Sequence, residues 1–330
     1  MTADTEPEKK QGGDDVADLK TAATSTVTEG DRQAPTTDES ALQAESEQDF
    51  PDDDSAIGDD AASSTASINS SIMAYRTENG RTYHAFRESI NYVLPNDSSE
   101  QERLGTGVWA IDFADAHPET EVIGIDLSPI QPNFLPTNLQ FQVDDLEDEW
   151  TFSYNFDFIF ARMMTGSIGD FPKFFTQSFN ALSPGGWVEC QDITFPAQCD
   201  DGTLKKDSYI DQWSSLMIEA TNKFGRTAES AKFYKQQMID AGFVNVTEVV
   251  YKWPTNRWPA DPYYKELGFW CNHNIAGELS GLSMVLFTRG LGWSPEEVEV
   301  FLAKVRTDMK DRHIHAWWPI HVVYGQKPEA

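Results

Sequence analysis

Hydrophobic and polar positions follow two periodicities along most of the chain. Short segments that are continuously apolar, or that alternate between apolar and polar residues, predict strands at Val122–Asp126, Leu139–Val143, Phe156–Ala161 and Trp187–Gln191. Apolar residues at helical spacing predict helices at Val108–His117, 171–182, 205–223 and 229–241. Strands that alternate with helices form a mostly parallel sheet with helices on both faces. The pattern therefore predicts a Rossmann-like, doubly wound α/β fold.

The C-terminal third carries two further strands that a long helical segment separates. Val246–Trp253 and His321–Tyr324 are rich in β-branched residues and predict these strands. Residues 260–312 between them have a helical pattern and many aromatic side chains. We therefore expect residues 73–330 to form one α/β domain with a helical insertion at about 254–318.

The first 72 residues differ sharply from the rest. They contain one aromatic residue, Phe50, and residues 1–70 carry 18 acidic and 4 basic residues, which is about half of the chain's net charge of −29. Such a segment cannot bury enough apolar surface to offset the entropy of ordering, so we expect a disordered acidic tail at 1–72. The alternative interpretation, based on its many Ser and Thr residues, is a segment that binds a regulatory partner or is phosphorylated.

Charge and cysteine content exclude several classes of function. A net charge of −29 disfavours direct binding of nucleic acid, because the phosphate backbone is repelled. The odd count of three cysteines and the absence of a CxxC pair disfavour a disulfide framework or a zinc cluster, and the His313–His315 pair lacks ligand partners at suitable spacing. No segment has the length and hydropathy of a membrane span or a signal peptide, so we expect an intracellular protein, cytoplasmic or nuclear.

Candidate binding residues follow the predicted strands, because ligands bind beyond the carboxyl ends of the strands in such sheets. Gly105 and Gly107 stand before the first helix, where glycines let the backbone approach a ligand. Asp126 ends a strand 19 residues beyond Gly107, which is close to the usual offset of a ribose-binding acid. Asp144 and Asp145 end the next strand and are candidates for an adenine amino group, although they also begin an acidic run typical of a solvated loop.

The same glycines admit a second interpretation. Gly105-x-Gly107-x-x-Ala110 followed by Asp126 satisfies the dinucleotide fingerprint, which predicts an NAD-dependent dehydrogenase. That fingerprint requires a strand directly before the first glycine, and residues 95–104 are too polar for one. Local spacing alone therefore favours neither interpretation.

Several motifs resemble the fungal LaeA-like methyltransferases. They are Gly80-Arg-Thr-Tyr-His-Ala-Phe86, Leu94-Pro-Asn-Asp97, Gly105-Thr-Gly-Val-Trp109, Asp126-Leu-Ser-Pro-Ile-Gln-Pro132, Asp144-Asp-Leu-Glu-Asp-Glu-Trp150, Ala161-Arg-Met-Met-Thr-Gly-Ser-Ile168 and Leu182-Ser-Pro-Gly-Gly-Trp-Val-Glu189. The likeness covers about residues 75–326. It implies a class I methyltransferase that uses S-adenosyl-L-methionine and that serves fungal secondary metabolism or its regulation.

The resemblance also implies roles for the candidate residues. Gly105 and Gly107 would lie at the methionine part of the cofactor, Asp126 at its ribose, and Asp145 with Asp144 at its adenine. Tyr83 would lie in an N-terminal segment that covers the site.

The chain departs from the family at one place. The family has an apolar strand that ends in Asp-Ile-Gly-Thr-Gly-Thr-Gly, several tens of residues after the Leu-Pro-Asn-Asp motif. Here Gly105 follows Asp97 after only eight positions, and neither the strand nor its acid is visible. Two explanations stay open: an exon missing from the gene model, or a protein that has lost full cofactor binding and acts as a regulatory protein with weak or no catalysis.

The methyl acceptor does not follow from the sequence, and no residue is assigned as a catalytic base. Class I methyltransferases often place a substrate cap where this chain has its insertion at about 254–318, so we expect the cap to shape a pocket for a small aromatic metabolite, with a protein acceptor as the alternative. The tryptophans of this region either line that pocket or pack in a core, and core packing is the expected role for most: Trp253, Trp258, Trp270, Trp317 and Trp318.

Overall fold

The computed structural model describes residues 42, 75–83, 93–97, 107–132 and 134–329, all within the compact unit Pro35–Ala330. The other unit, Met1–Ala34, and nearly all of the predicted tail at 1–72 lie outside the described residues. The tail therefore stays a prediction.

Strands and helices alternate through the described ranges. The strands are β1 (Arg76–Glu78), β2 (Arg81–Tyr83), β3 (Val122–Asp126), β4 (Leu139–Val143), β5 (Phe156–Arg162), β6 (Leu182–Ile193), β7 (Gln198–Cys199), β8 (Val244–Pro254) and β9 (Ala316–Gln326). The α-helices are α1 (Val108–Ala116), α2 (Phe171–Ala181), α3 (Tyr209–Lys223), α4 (Tyr234–Asp240), α5 (Pro262–Gly277), α6 (Leu279–Val285) and α7 (Pro295–Lys310). Every strand and helix predicted above falls on one or more of these elements, so the predicted α/β class is confirmed.

Side-chain caps fix where several helices begin. The Asp170 carboxylate accepts a hydrogen bond from the Lys173 backbone N–H, at 2.9 Å, and Pro172 occupies the first turn of α2. At α7, Ser294 and Glu297 form a reciprocal capping box. These signals are local in sequence, which is why the sequence predicted the start of α2 to within a residue.

The main sheet joins β5, β6, β9, β8 and β7. β5 and β6 run parallel, whereas β9 pairs antiparallel with β6, β8 and β7. The parallel pair of this sheet is therefore β5–β6, its first two strands in sequence. The helical insertion links the two antiparallel strands β8 and β9.

β3 and β4 form a separate two-stranded parallel sheet. Among the described residues β3 pairs with β4 alone, and β5 pairs with β6 alone. All five residues of β3 are only half-buried despite their apolar sequence, and the side chain of Phe158 in β5 is 40% exposed. The sheet that the pattern predicts as continuous is thus interrupted between β3 and β5.

Two clusters of buried side chains form the interior. One packs α2 and α4 against β5, β6 and β9, with Phe175, Val188 and Tyr234 at its centre. The other joins the insertion to α3 and includes Trp213 and Trp318, whose rings lie 5.8 Å apart. Trp318 and Trp258 are buried and Trp270 is 57% exposed, so core packing is the role of the first two.

Candidate functional site

A cleft of about 410 Å³ opens between β3 and β5, where the sheet is interrupted. Its volume falls in the range of roughly 300–1,000 Å³ that is typical of small-molecule sites. Four of the predicted binding residues line it together: Gly107, Asp126, Asp144 and Asp145. The carboxyl ends of β3 and β4 bring the three acids to one side, as expected for parallel neighbours.

Burial disfavours ionisation of Asp126, the acid at the end of β3. Burial raises the pKa of its carboxyl group to about 6, and hydrogen bonds from Ser128, Leu127 and Gln131 oppose that rise. The Ser128 backbone N–H donates to Oδ1 at 2.9 Å. The pKa of Tyr75 is raised mainly by burial of its phenol and, to a smaller extent, by the negative charge of Asp126. Within the described ranges the carboxylate is therefore held by neutral donors, without a cation among the groups that stabilise its charge.

Asp144 and Asp145 form the turn that leaves β4. The Asp144 backbone N–H donates to the carbonyl of Asp126 at 3.0 Å, which holds the two strand ends together. Asp145 is buried, and its Oδ1 accepts a hydrogen bond from the Glu147 backbone N–H at 2.9 Å. Asp144 is exposed and its Oδ1 accepts from the Asp145 N–H at 2.8 Å. Of the pair, Asp145 is the acid enclosed by the cleft.

Gly107 precedes α1 with a left-handed backbone, φ 77°. A Cβ at this position would stand 2.7 Å from Cζ of Phe141, so a side chain has no room. Gly105 lies outside the described residues, and its predicted role stays a prediction.

The Leu94–Asp97 loop covers the carboxyl end of β3. The Asn96 side-chain amide donates to Oγ of Ser128 at 3.2 Å, and the Asn96 backbone N–H donates to the carbonyl of Thr82 at 2.8 Å. Arg81 binds the Asp97 carboxylate through two nitrogens and donates to Oε2 of Glu278 at 2.9 Å. The loop is thus held between the cleft on one side and the insertion on the other.

Tyr83 lies in the hairpin β1–β2 but does not line the cleft. Its side chain is fully buried in the cluster that joins the insertion to α3, and burial raises the pKa of its phenol to about 12. The hairpin therefore covers the site through the attached loop, while the predicted contact of Tyr83 with the cofactor stays a prediction.

The carboxyl end of β5 carries local backbone strain. Met163 has a left-handed backbone, φ 56°, which is uncommon for a residue other than glycine, and its N–H donates to the carbonyl of Gln191 at 2.9 Å. Arg162 and Met164 line the cleft on either side of it. Strain of this kind concentrates at binding sites, but the sequence offers no direct signal for it.

Sequence reasoning missed three residues that shape the cleft: Asn96, Ser128 and Phe141. Asn96 and Ser128 stand inside the motifs Leu94-Pro-Asn-Asp97 and Asp126-Leu-Ser-Pro129, so these motifs are the sequence signal for both positions. Phe141 gave no signal, because its position in an alternating strand is typical of ordinary packing.

The described residues fit the adenosine half of S-adenosyl-L-methionine. A desolvated carboxylate with neutral donors can accept hydrogen bonds from the two ribose hydroxyls, and the buried Asp145 is an acceptor for an exocyclic amine. Of the two glycines predicted at the methionine half, Gly107 alone lies within the described ranges, because the residues just before it are outside them.

The described ranges hold neither a cluster of metal ligands nor a helix able to cross a membrane. There, no group of three or more His, Cys, Asp or Glu residues is placed to hold a metal ion. His313 and His315 instead bind Asp311 and Asp201, with Nδ1 to carboxylate oxygen distances of 2.8 and 2.5 Å. Within the same ranges, no helix combines the length and hydropathy that crossing a bilayer would require.

Comparisons with known proteins point to one family. A methyltransferase-domain profile matches residues 104–248. The methyltransferase PytC of Aspergillus terreus is 36% identical over 302 residues, covering 82% of this chain and 93% of PytC. The secondary metabolism regulator LAE1 of Cochliobolus heterostrophus is 33% identical over 291 residues, covering 76% of this chain and 94% of LAE1.

A solved structure of Haemonchus contortus phosphoethanolamine N-methyltransferase 2, in complex with S-adenosyl-L-methionine, is similar over 66% of this chain and 46% of that chain, with 16% identity and a TM-score of 0.38.

The alignment with PytC also shows that this chain is shorter than that relative over the matched region. The alignment with PytC is 302 positions long but uses 82% of the 330 residues, about 271, so about 31 of its positions face gaps here. The short spacing from Asp97 to Gly105 is the place where the sequence motifs indicate missing residues.

Proposed function

Because the chain belongs to the LaeA-like S-adenosylmethionine-dependent methyltransferases of fungi, we propose that it transfers a methyl group in fungal secondary metabolism or in its regulation. The observation that carries the proposal is Asp126, a desolvated carboxylate with neutral donors at the end of β3, beside a cleft of cofactor size.

Three acids of the cleft, Asp126, Asp144 and Asp145, receive roles in binding the cofactor. Asp126 accepts hydrogen bonds from the ribose hydroxyls, and the Ser128 N–H keeps its carboxylate in place. Asp145, or Asp144 beside it, accepts a hydrogen bond from the adenine amino group. Gly107, and Gly105 before it, leave room for the methionine part.

The cofactor supplies an electrophilic methyl group on a sulfonium. Transfer of that group is an in-line displacement, so the main task of this chain is to hold the acceptor in line and to exclude water. The Leu94–Asp97 loop and the hairpin β1–β2 supply the cover, since Asn96 lines the cleft and contacts Ser128 next to Asp126. No side chain of the described ranges is assigned as a general base.

The acceptor enters from the side of the insertion. We expect a small aromatic metabolite, with a protein side chain as the alternative, and a cytoplasmic or nuclear location. Glu278 of the insertion binds Arg81, which also holds Asp97 of the loop that covers the cleft, and this link supports a cap role for residues 254–318. If removing exposed cap side chains such as Trp270 leaves the affinity for every tested aromatic acceptor unchanged, the small-molecule assignment fails.

Calorimetric titration separates this function from its alternatives. Heat on addition of S-adenosylhomocysteine or S-adenosylmethionine supports a methyltransferase, and heat with NAD alone supports the dehydrogenase interpretation. Silence with all three ligands supports a regulatory protein on a methyltransferase fold. The Asp126→Ala variant is the matched control, because its unchanged binding of the methyl donor would contradict the assigned role.

A further inference from the structure

A buried arginine behind the cleft contacts two turns that line it. Arg226, which follows α3, is only 8% exposed. Its Nη2 lies 2.5 Å from Oε2 of Glu147, in the turn that leaves β4, and its Nη1 donates to the carbonyl of Ser167, in the turn that leaves β5. Glu147 and Ser167 are both lining residues of the cleft. Arg226 therefore bridges the two turns from outside the cleft.

Glu147 connects this bridge to Asp145. Oε1 of Glu147 accepts a hydrogen bond from the Gly169 N–H at 2.8 Å, while the Glu147 backbone N–H donates to Oδ1 of Asp145 at 2.9 Å. The two turns approach closely, because a Cβ on Gly169 would stand 3.2 Å from Oε1 of Glu147. The residue that orients the Asp145 carboxylate is thus itself held by Arg226 and Gly169.

The bridge differs from other contacts that hold the same turn. Nζ of Lys173 donates to the backbone carbonyl of Glu147. Gln177 donates to the backbone carbonyl of Leu146. Arg226 instead binds the Glu147 side chain, and a guanidinium holds two acceptors in a fixed planar fork. A buried ion pair is costly to break, whereas an exposed pair contributes little, so we expect the position of Glu147 to depend on Arg226.

We propose that Arg226 is a positioning residue, which fixes the Asp145 carboxylate through Glu147 and thereby makes the site select a base that carries an exocyclic amino group. A carboxylate held in one direction accepts a hydrogen bond from that amino group. A carboxylate that is free to turn bonds to water instead, so the selectivity for the amino group is lost. The contact of Asp145 with adenine rests on the proposed function, whereas the bridge between the turns does not.

Two ligands that differ in one group test the proposal: S-adenosylhomocysteine and its analogue with hydrogen in place of the 6-amino group. Calorimetry on the full chain is expected to show at least about tenfold tighter binding of S-adenosylhomocysteine, because the carboxylate is a charged acceptor. Arg226→Ala is expected to reduce this ratio of affinities to less than about threefold. The control Lys223→Met removes a positive charge from the same end of α3, where Lys223 pairs with Glu219 on an exposed face, and should keep the ratio.

Further variants and a measurement without ligand complete the test. Arg226→Lys keeps the buried charge but cannot hold both acceptors in a fork, so its ratio should also fall, and it carries the test if Arg226→Ala does not fold. Adding Arg226→Ala to Asp145→Ala should not lower the ratio further, because both changes act through one contact. Without ligand, amide exchange of Glu147 and Gly169 should be at least about tenfold faster in the Arg226 variants and unchanged in Lys223→Met.

The outcomes separate this proposal from the proposed function. Weaker binding of both ligands with an unchanged ratio in the Arg226 variants means that the arginine only stabilises the fold, and this overturns the proposal. An unchanged ratio in Asp145→Ala, or unchanged amide exchange in the Arg226 variants, overturns it as well. A parent chain that binds neither ligand but shows the exchange difference contradicts the proposed function and supports the bridge. A ratio that is lost in Asp145→Ala and in the Arg226 variants but kept in Lys223→Met supports both.

Discussion

Gly124 and Phe141 face each other on the paired strands β3 and β4, and the phenylalanine ring covers the glycine. A Cβ on residue 124 would stand 2.2 Å from Cε1 of that ring, far inside van der Waals contact. The same ring lies over Gly107, so one aromatic side chain accounts for two glycines at the cleft.

The Gly124→Ala variant is therefore expected to lose stability, because the ring must move out of its place on the sheet. We expect a loss of about 1–3 kcal/mol in the free energy of unfolding, measured by urea denaturation. Gly277→Ala is the control, since nothing lies within 4 Å of its Cβ position and alanine favours the helix. Equal stability of the Gly124 variant and the parent chain would show that the ring has another place to go.

The Asp126 carboxyl group gives cofactor binding a predicted pH dependence. Its pKa is raised to about 6 by burial, and ribose hydroxyls donate to the ionised form. The affinity for S-adenosylhomocysteine is therefore expected to rise with pH up to about 6 and to level off above it. Asp126→Asn is expected to weaken binding at pH 7.5 at least tenfold, since a hydrogen bond to a charged acceptor contributes roughly 1.5–3 kcal/mol. Calorimetry from pH 5 to 8 on both proteins checks this, and parallel pH profiles would contradict it.

A buried acid outside the cleft predicts a pH dependence of stability. Asp192 is fully buried, with its carboxylate oxygens accepting from the Thr165 N–H and the Tyr234 hydroxyl, each at 2.9 Å. Burial raises its pKa to about 7, whereas an unfolded aspartate titrates near 4. The folded state thus holds more protons than the unfolded state between about pH 4 and 7, so this group's contribution to stability is lost as pH rises through that window.

Asp192→Asn is expected to flatten this part of the stability profile, as measured by urea denaturation at pH 5 and 7.5. Tyr234→Phe keeps the buried acid but removes a donor to its charged form, so its loss of stability should be larger at pH 7.5 than at pH 5. A variant Asp192→Asn with the same pH slope as the parent chain would mean that another group sets the slope.

Two arginine–glutamate pairs join the hairpin β1–β2 to the insertion, and they are expected to differ in strength. The side chains of Arg81, Asp97 and Glu278 are largely shielded from solvent, with exposed fractions of 18–20%. In the second pair, the side chain of Arg289, which binds Glu78, is 42% exposed. Removing one partner of a shielded network costs roughly 3–5 kcal/mol, so we expect about 2–4 kcal/mol for Arg81→Ala. The control Arg289→Ala should cost less than about 1 kcal/mol. Thermal and urea unfolding compare the two, and equal losses would contradict the distinction.

The sequence predicted those parts of the fold that short-range signals determine. The helix predicted at 171–182 matches α2, which Asp170 caps, and the alternating pattern predicted β4, because caps and periodicity involve neighbouring residues. The grouping of Asp126 with Asp144 and Asp145 also followed, since parallel strands end at one edge.

The sequence did not predict features that depend on contacts between distant segments. The antiparallel pairing of β9 with both β6 and β8 depends on how the chain returns after the insertion, which no local pattern encodes. Likewise, the burial of Tyr83 in the cluster that joins the insertion to α3 and the contact of Asn96 with Ser128 arise from tertiary packing.

The contact of Arg81 with Glu278 spans 197 positions of sequence. On a ribosome, the arginine leaves the exit tunnel long before its glutamate is made, and synthesis at about 5–20 residues per second separates the two by roughly ten seconds or more. The loop above Asp126 therefore lacks its outer anchor until translation is nearly complete. A nascent chain stalled before residue 278 would lack both β9, which joins the strands of the main sheet, and the latch for the hairpin over the cleft.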